Sequence, residues 1–271
     1  DLAAIETQFH HLVRTVPGNG LVVVNGEEPA LERVITRGAW APVEKFGQDK
    51  HNAWSLISQA ADGFIVLQDG KEVATVAWAP DSGVMGRHNQ LNALAAIASA
   101  NHIGISPTDA ARALAEFKNV KRRLETIGVA NEVTVYDDFA HHPTAIITTV
   151  DGLRRRVGQS RILAVLEPRS NTMKLGVMKA QLPNSLEAAD KIFAYGASAG
   201  KDSLGWDLNE VLAPLNAKSD NRAAAFDDLS ALVKAVANEA KPGDHILVMS
   251  NGGFGGVHQK ILTAIQEKAK Q

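Results

Sequence analysis

Tyr136-Asp137-Asp138-Phe139-Ala140-His141-His142-Pro143 sets an acidic pair and a histidine pair directly after the strand-like run Glu132–Val135. In open α/β sheets, ligands bind outside the carboxyl ends of strands. Two acids at such a point suit a ribose hydroxyl or a metal ion, and two imidazoles suit phosphate or carboxylate. The stretch therefore predicts a nucleotide or phosphate enzyme. A second constellation is Gly86-Arg87-His88-Asn89-Gln90-Leu91-Asn92. Asn89 and Asn92 are i,i+3 and His88 and Asn92 are i,i+4, so all three lie near one face at a helix start. A carboxamide can pair with the N6 and N7 edge of adenine. N-capping and a solvated polar face are the simpler account of that spacing on its own.

Arg122-Arg123-Leu124-Glu125 is the third. An arginine at a domain hinge can reach a phosphate and stabilise charge developing in transfer; taken alone, a solvated basic linker is simpler. After another strand comes Glu167-Pro168-Arg169-Ser170-Asn171-Thr172-Met173-Lys174. Arg169 could fork onto a substrate carboxylate, with Ser170, Asn171 and Thr172 as hydrogen-bonding neighbours. A capped loop with a surface arginine accounts for these residues equally well. Ser250-Asn251-Gly252-Gly253-Phe254-Gly255-Gly256 sits between a strand and the last helix. Its glycines allow close backbone approach to a ligand; a tight turn with Phe254 plugging the core is the alternative. The order is not G-x-G-x-x-G, which removes the dinucleotide fingerprint and makes a nicotinamide dehydrogenase a weak reading.

Tyr195-Gly196-Ala197-Ser198-Ala199-Gly200-Lys201-Asp202 imitates a P-loop. The glycine spacing is one residue short, and Asp202 stands where Ser or Thr would hold Mg²⁺. It reads as a loop, so the triphosphate cradle is missing from this sequence. His10 and His11 are adjacent in a predicted helix and point in different directions, which argues against a shared metal. Neither histidine pair has zinc-ligand spacing.

The elements that must position these residues fit a cysteine-free chain of 271 residues, 45% hydrophobic and 21% charged, enough for two domains and a sizeable core. A net charge of −2 supplies no general field toward nucleic acid or anionic membrane. With no cysteine there is no disulfide scaffold or thiolate zinc site, which fits a cytoplasmic protein. No apolar run approaches the roughly 18–20 residues of a membrane span. The start, Asp1-Leu2-Ala3-Ala4, lacks a signal-peptide core and an initiator Met, and reads as a helix entered partway in a larger protein.

Spacing predicts a helix over 1–16, a buried parallel strand at 21–24, a helix over 28–37, and a hairpin of 63–67 with 73–78 turning at Asp69-Gly70. Helices follow over 89–101 and from Ser106 to Phe117, the latter capped by Ser106 with Pro107 first. Lys118–Arg123 is a basic connector. Beyond it strands at 132–136, 161–166, 191–195 and 245–249, with the segment 223–226, alternate with helices at 143–156, 178–189, 227–239 and 257–269. Such alternation predicts a parallel sheet covered on both faces.

The order of these motifs is more specific than any one of them. Gly86-x-His88-Asn89-x-x-Asn92-x-x-Ala95-Ala96, then Arg122-Arg123-Leu124-Glu125, then Asp137-Asp138-Phe139-Ala140-His141-His142-Pro143 resembles the ATP-dependent Mur ligases of bacterial cell-wall synthesis. Leu166–Lys174 and Ser250–Gly256 resemble the murein peptide ligase branch rather than the alanine-adding one. The resemblance implies an α/β chain with two parts. Residues 1–119 would be the second part of the central α/β ATPase domain. Residues 120–271 would be the C-terminal Rossmann-like, mostly parallel domain. The N-terminal portion of the enzyme, with its P-loop and usual central-domain Mg²⁺ ligands, has no counterpart here, so this stretch by itself is expected to be inactive.

The resemblance also implies roles. His88, Asn89 and Asn92 would hold adenine or its ribose. Arg123 would reach the γ-phosphate, and Asp138 would contact ribose or a bound cation. His141 and His142 would line the cleft. Arg169, Ser170, Asn171 and Thr172 would engage an incoming tripeptide, and Asn251, Gly252 and Gly253 would shape the same pocket. The connector at Val120–Lys121 would be the hinge of a closing motion. The implied cofactors are ATP and Mg²⁺, and the metal's ligands are left unassigned. The implied partners are small molecules, UDP-N-acetylmuramate and L-Ala-γ-D-Glu-meso-diaminopimelate, joined in peptidoglycan recycling in the bacterial cytoplasm, with no nucleic acid and no membrane. The alternative from another class is a non-catalytic module that binds nucleotide or peptide.

Overall fold

The structure is a computed structural model that describes residues 1–59, 63–79, 82–84, 86–197 and 203–268. It falls into two compact units, Asp1–Lys118 and Asn119–Gln271.

The first unit runs α1 (Leu2–Val13), β1 (Val22–Asn25), α2 (Pro29–Thr36), β2 (Val43–Gly47), β3 (Trp54–Ser58), β4 (Phe64–Gln68), β5 (Lys71–Val76), α3 (Arg87–His102) and α4 (Pro107–Ala115). Its five strands lie in sequence order. β1, β2 and β3 are parallel, and β4 and β5 fold back as antiparallel neighbours. The predicted hairpin is present. Asp69 and Gly70 both take positive φ, 49° and 75°, the two-residue turn that matches strand twist. β2 and β3 carry no clean alternation and went unpredicted. The predicted burial of the first strand on both faces does not hold: among the described residues β1 pairs with β2, and of its four residues Val24 alone is buried. The core joins Trp54, Phe64 and Val66 of the sheet to Leu94 and Ile97 of α3. That packing fixes the N-terminus of α3 relative to the strand ends.

The second unit runs β6 (Glu125–Ala130), β7 (Val133–Asp138), α5 (Pro143–Val157), β8 (Ile162–Leu166), α6 (Asn171–Lys174), α7 (Leu182–Ser185), β9 (Lys191–Tyr195), α8 (Leu208–Lys218), β10 (Ala223–Phe226), α9 (Leu229–Glu239), β11 (His245–Met249) and α10 (Val257–Lys268). The sheet order is β10-β9-β8-β11-β7-β6, parallel throughout except for β6. β11 is last in the sequence yet lies between β7 and β8, so the carboxyl ends of those three strands share the switch point of the sheet. Alternate strand residues point to opposite faces. Val133, Val135, Leu163, Val165, Ile246 and Val248 pack with α9 and α10. The intervening Tyr136, Ile162, Ala164, Leu166, Leu247 and Met249 are buried as well, on the face where α5 meets β11 and α8 meets β10.

Three sequence expectations change here. β6 was missed; it pairs with β7 through a turn in which Asn131 and Glu132 both take positive φ, and Glu is a poor herald of such a turn. The predicted helix over 178–189 is instead a 3₁₀ turn, Lys179–Gln181, followed by the single turn α7. Pro183 lacks an N–H and so suits the start of a helix, not its interior. The strand read as 132–136 continues to Asp138, because β11 pairs with it through Met249 opposite Asp138.

Candidate functional site

That longer strand separates the two acids. Neighbouring strand residues face opposite ways, so Asp137 and Asp138 do not address one ligand together. The Asp137 carboxylate accepts from Arg122 Nε at 3.2 Å and lies 3.1 Å from His258 Nε2 of α10. Burial pushes its pKa up, but His258 and Arg122 together outweigh that and hold it below the usual value. Asp138 is 3% exposed and faces α5. Its Oδ1 accepts from the Ala140 amide at 2.7 Å and the Thr149 hydroxyl at 3.2 Å, and its Oδ2 accepts from the Leu124 amide at 2.9 Å. Burial raises its pKa above the usual carboxylate value, with those donors and Arg123 opposing. Asp138 therefore ties the connector to the strand end.

The connector itself is held in an unusual shape. Arg122 and Leu124 have φ of 61° and 50°, a region that non-glycine residues enter only when the surroundings fix them there. The fixing groups are Glu125, which accepts from the Arg122 amide at 2.9 Å, and Asp138. Arg122 and Leu124 are turned inward, and Arg123 is left exposed, its guanidinium 5.9 Å from the centre of the Phe139 ring.

His141 and His142 do different work. The His141 Nδ1 lies 2.8 Å from the Phe139 carbonyl, and its ring meets Phe139 edge-on at 5.3 Å. His142 is the N-cap of α5, accepting from the Thr144 amide at 3.4 Å, with Pro143 next. Both stay half-buried at the strand end.

At the ends of β8 and β11 the elements lock together. The Ser250 hydroxyl donates to Glu167 at 2.5 Å and accepts from the Gly252 amide at 2.9 Å. The Ser250 amide donates to the Asp138 carbonyl and that of Glu167 to the Met249 carbonyl. A Cβ at Gly252 would lie 2.1 Å from Arg169 Nη1, so any side chain there would displace the guanidinium. Arg169 thus lies against the glycine turn. Ser170 caps α6 by accepting from the Met173 amide, which leaves Asn171 and Thr172 exposed on its first turn. The half-buried Asn251 has a buried side-chain oxygen with no hydrogen-bond partner among the described residues. Gly253 faces open space, and Phe254 is core, 2% exposed among α9 and α10 residues.

In the first unit, His88, Asn89 and Asn92 lie in the first two turns of α3. Gly86 is the N-cap; His88 and Asn89 are half-buried and Asn92 is exposed. Their neighbours anchor the helix. Arg87 donates to Glu27 at 3.0 Å, and Glu27 also accepts from the amides of Gln48 and Asp49 just beyond β2. Gln90 is 3% exposed, accepting from Ser58 at 3.1 Å and donating to the Gly63 carbonyl at 3.2 Å. These contacts set α3 at the carboxyl ends of parallel strands.

Sequence reasoning passed over Glu27, Gln90, Thr149, Glu167 and Ser250 as working residues. A polar residue directly after an apolar strand is the signal for Glu167 and Ser250. Gln90 carries one too, as a polar residue in line with the apolar face of a helix. The P-loop imitation lies partly outside the described residues, at 198–202. Among the described residues no group of three or more His, Asp or Glu side chains is placed to hold a metal ion, and no helix is long and apolar enough to cross a membrane.

Two family descriptions match the sequence: "Mur ligase middle domain" over residues 1–100 and "Mur ligase, glutamate ligase domain" over 122–252. The UDP-N-acetylmuramate–L-alanyl-γ-D-glutamyl-meso-2,6-diaminoheptandioate ligase of Escherichia coli is 46% identical over 272 residues, covering 100% of this chain and 57% of that protein. A crystal structure of a murein peptide ligase from Psychrobacter arcticus superposes with a TM-score of 0.71 at 39% identity, over 98% of this chain and 55% of that one. A MurF ligase from Thermotoga maritima, solved with ADP, shares the fold at a TM-score of 0.63 and 16% identity, over 93% of this chain and 54% of that one. The chain spans a little over half the length of these relatives.

Proposed function

The chain belongs to the Mur ligase family through its middle and C-terminal domains, and on that premise we propose that it serves an ATP-dependent ligase joining L-Ala-γ-D-Glu-meso-diaminopimelate to UDP-N-acetylmuramate. We divide it functionally at residues 119 and 120 into the nucleotide-side part and the acceptor-side domain. The observation that carries the reading is the exposed Arg123 between two inward-locked neighbours, in the same unit as a second arginine, Arg169, seated on Gly252. One arginine suits a phosphate and the other a carboxylate. The 46% identity to a ligase named for this tripeptide supports the choice of acceptor.

In the proposed reaction the muramate carboxylate oxygen attacks the γ-phosphorus of ATP, and ADP leaves. The amine of the tripeptide then attacks the acyl carbon. The tetrahedral intermediate expels inorganic phosphate, and the amine loses a proton as the amide forms. Phosphoryl transfer needs positioning and charge neutralisation more than covalent help. His88, Asn89 and Asn92 hold the adenine end, and Arg123 meets the γ-phosphate. Arg169, Ser170, Asn171 and Thr172 receive the acceptor's carboxylates, with Asn251, Gly252 and Gly253 shaping the same pocket. Asp138 acts through the connector it holds; its three donors leave about one of a carboxylate's four lone-pair sites for a ribose hydroxyl. The described residues do not form a Mg²⁺ shell, and no step here is routed through that ion. The proposed setting is peptidoglycan recycling in the cytoplasm.

The test is ADP release by the intact protein with UDP-N-acetylmuramate and tripeptide. Arg123→Ala should lower turnover by about a hundredfold or more, the scale of a lost transition-state donor, with the fold unchanged by circular dichroism. Unchanged turnover removes Arg123 from the phosphate. The 271 residues alone contain no G-x-x-x-x-G-K-[ST] and should give no turnover. Nucleotide binding by the intact protein with no ligation under any acceptor would favour a binding module instead.

A further inference from the structure

We propose that Arg122 is a positioning residue that sets the acceptor side of the site from the connector, by seating the turn against which Arg169 lies; this rests on reading that side as the acceptor site. One guanidinium joins three segments of the second unit. Its Nη2 donates to the carbonyls of Ser250 and Gly252 at 2.5 and 2.8 Å, and its Nε to Asp137 at 3.2 Å. Its Cζ lies over the Phe139 ring, 5.0 Å from the ring centre. The backbone amide is spoken for by Glu125, and the positive φ aims the side chain at the sheet.

Two carbonyls, two residues apart, turned onto one cation fix the orientation of the peptide units between them. The same stretch is held from its other side by Ser250, through the hydroxyl contact to Glu167. Gly252 is therefore clamped on its carbonyl by Arg122, while Arg169 Nη1 occupies the space a Cβ would need. Moving Gly252 moves the surface on which Arg169 rests. The fork serves the carboxylate from Nε and both carbonyls from Nη2; a lysine would have to reach all three acceptors from a single nitrogen at the end of a flexible stem. Arg122 thus differs in role from its neighbour Arg123, which faces solvent.

The experiment uses Arg122→Lys and Arg122→Gln, alone and with Arg169→Ala, in the intact protein. Arg122→Lys should raise the tripeptide KM about tenfold and leave the ATP KM within about twofold. In the Arg169→Ala background Arg122→Lys should add little, because both changes remove the same seated arginine. Full additivity, or an unchanged tripeptide KM, overturns the proposal. A second arm needs no ligation: amide hydrogen exchange across 248–256 in the intact protein, where both variants should exchange faster than the parent while α9 does not. Unchanged exchange at 250–253 in Arg122→Lys overturns the clasp even if the glutamine variant fails to fold. Absence of ligation by the parent protein would instead count against the functional reading, and the exchange arm would still decide the role of Arg122.

Discussion

The start of α3 and the strand ends of the second unit are both polar sites built on parallel sheets, but they assign their residues in opposite ways. On α3 the anchoring is done by residues beside the candidates. Arg87 is tied to Glu27, Gln90 to Ser58 and Gly63, and the exposed Asn92 stands clear of these anchors. At the ends of β7, β8 and β11 the candidate residues are themselves the fastening. Asp138 holds Leu124 and Ala140, His142 caps α5 and Ser170 caps α6. A site on a helix face can divide anchoring from binding because successive residues point in different directions. A site made where loops leave three strands has no such frame, so its polar residues must first hold one another.

If that contrast is right, substitutions in the second unit should disturb the fold and those on the exposed face of α3 should not. Asp138→Ala should have the largest effect. It strands the buried amides of Leu124 and Ala140, and should destabilise the second unit by about 3 kcal/mol in urea unfolding. A shift below about 1 kcal/mol would mean the connector does not depend on it. Gln90→Leu comes next, about 1–2 kcal/mol on the first unit, since it removes the buried side chain's bonds with Ser58 and the Gly63 carbonyl, which keeps only the Gln59 amide. Gly252→Ala should show the opposite balance, with tripeptide KM rising about tenfold, roughly 1.4 kcal/mol, as Arg169 is displaced. Asn92→Ala should change stability by less than about 0.5 kcal/mol and weaken nucleotide binding in isothermal titration; a large loss of stability would collapse the distinction between the two regions.

A smaller effect comes from His245 at the opposite end of β11. Its Nδ1 lies 3.0 Å from the Tyr136 hydroxyl, and burial, with Arg156 also contributing, holds its pKa below 6.5. The unfolded chain then binds the proton more readily. The stabilisation is present above the unfolded value near 6.5 and is lost as pH falls from there toward the folded value. The melting temperature of the second unit should fall between pH 7.5 and pH 5.5, and His245→Gln should flatten that fall. Parallel slopes for parent and variant would assign the dependence elsewhere.

Much of this was readable without coordinates. The hairpin turning at Asp69-Gly70, the cap of α4 at Ser106, and the alternation of strand and helix after the connector all follow from local chemistry, and local chemistry is what a sequence exposes. The burial of Phe254 was foreseen as one of two readings of the glycine turn. Other features depended on partners distant in sequence. β6 became a strand because β7 offered an edge. The stretch predicted as a helix at 178–189 broke into turns at Pro183.

The sequence by itself determined the family, the order of the motifs and the residue types available for phosphate and carboxylate. Tertiary structure decided which of those residues stay exposed and which hold the frame. The pairing of β11 through Asp138 turned Asp137 and Asp138 to opposite faces of the sheet. The packing of Arg169 fills the space that a side chain at position 252 would need. The left-handed backbone at 122 and 124 separated two adjacent arginines into a clasp and an exposed cation. Spacing along the chain fixes which side chains are neighbours in sequence, but their directions are set by strand register and buried hydrogen bonds, which only the folded chain supplies.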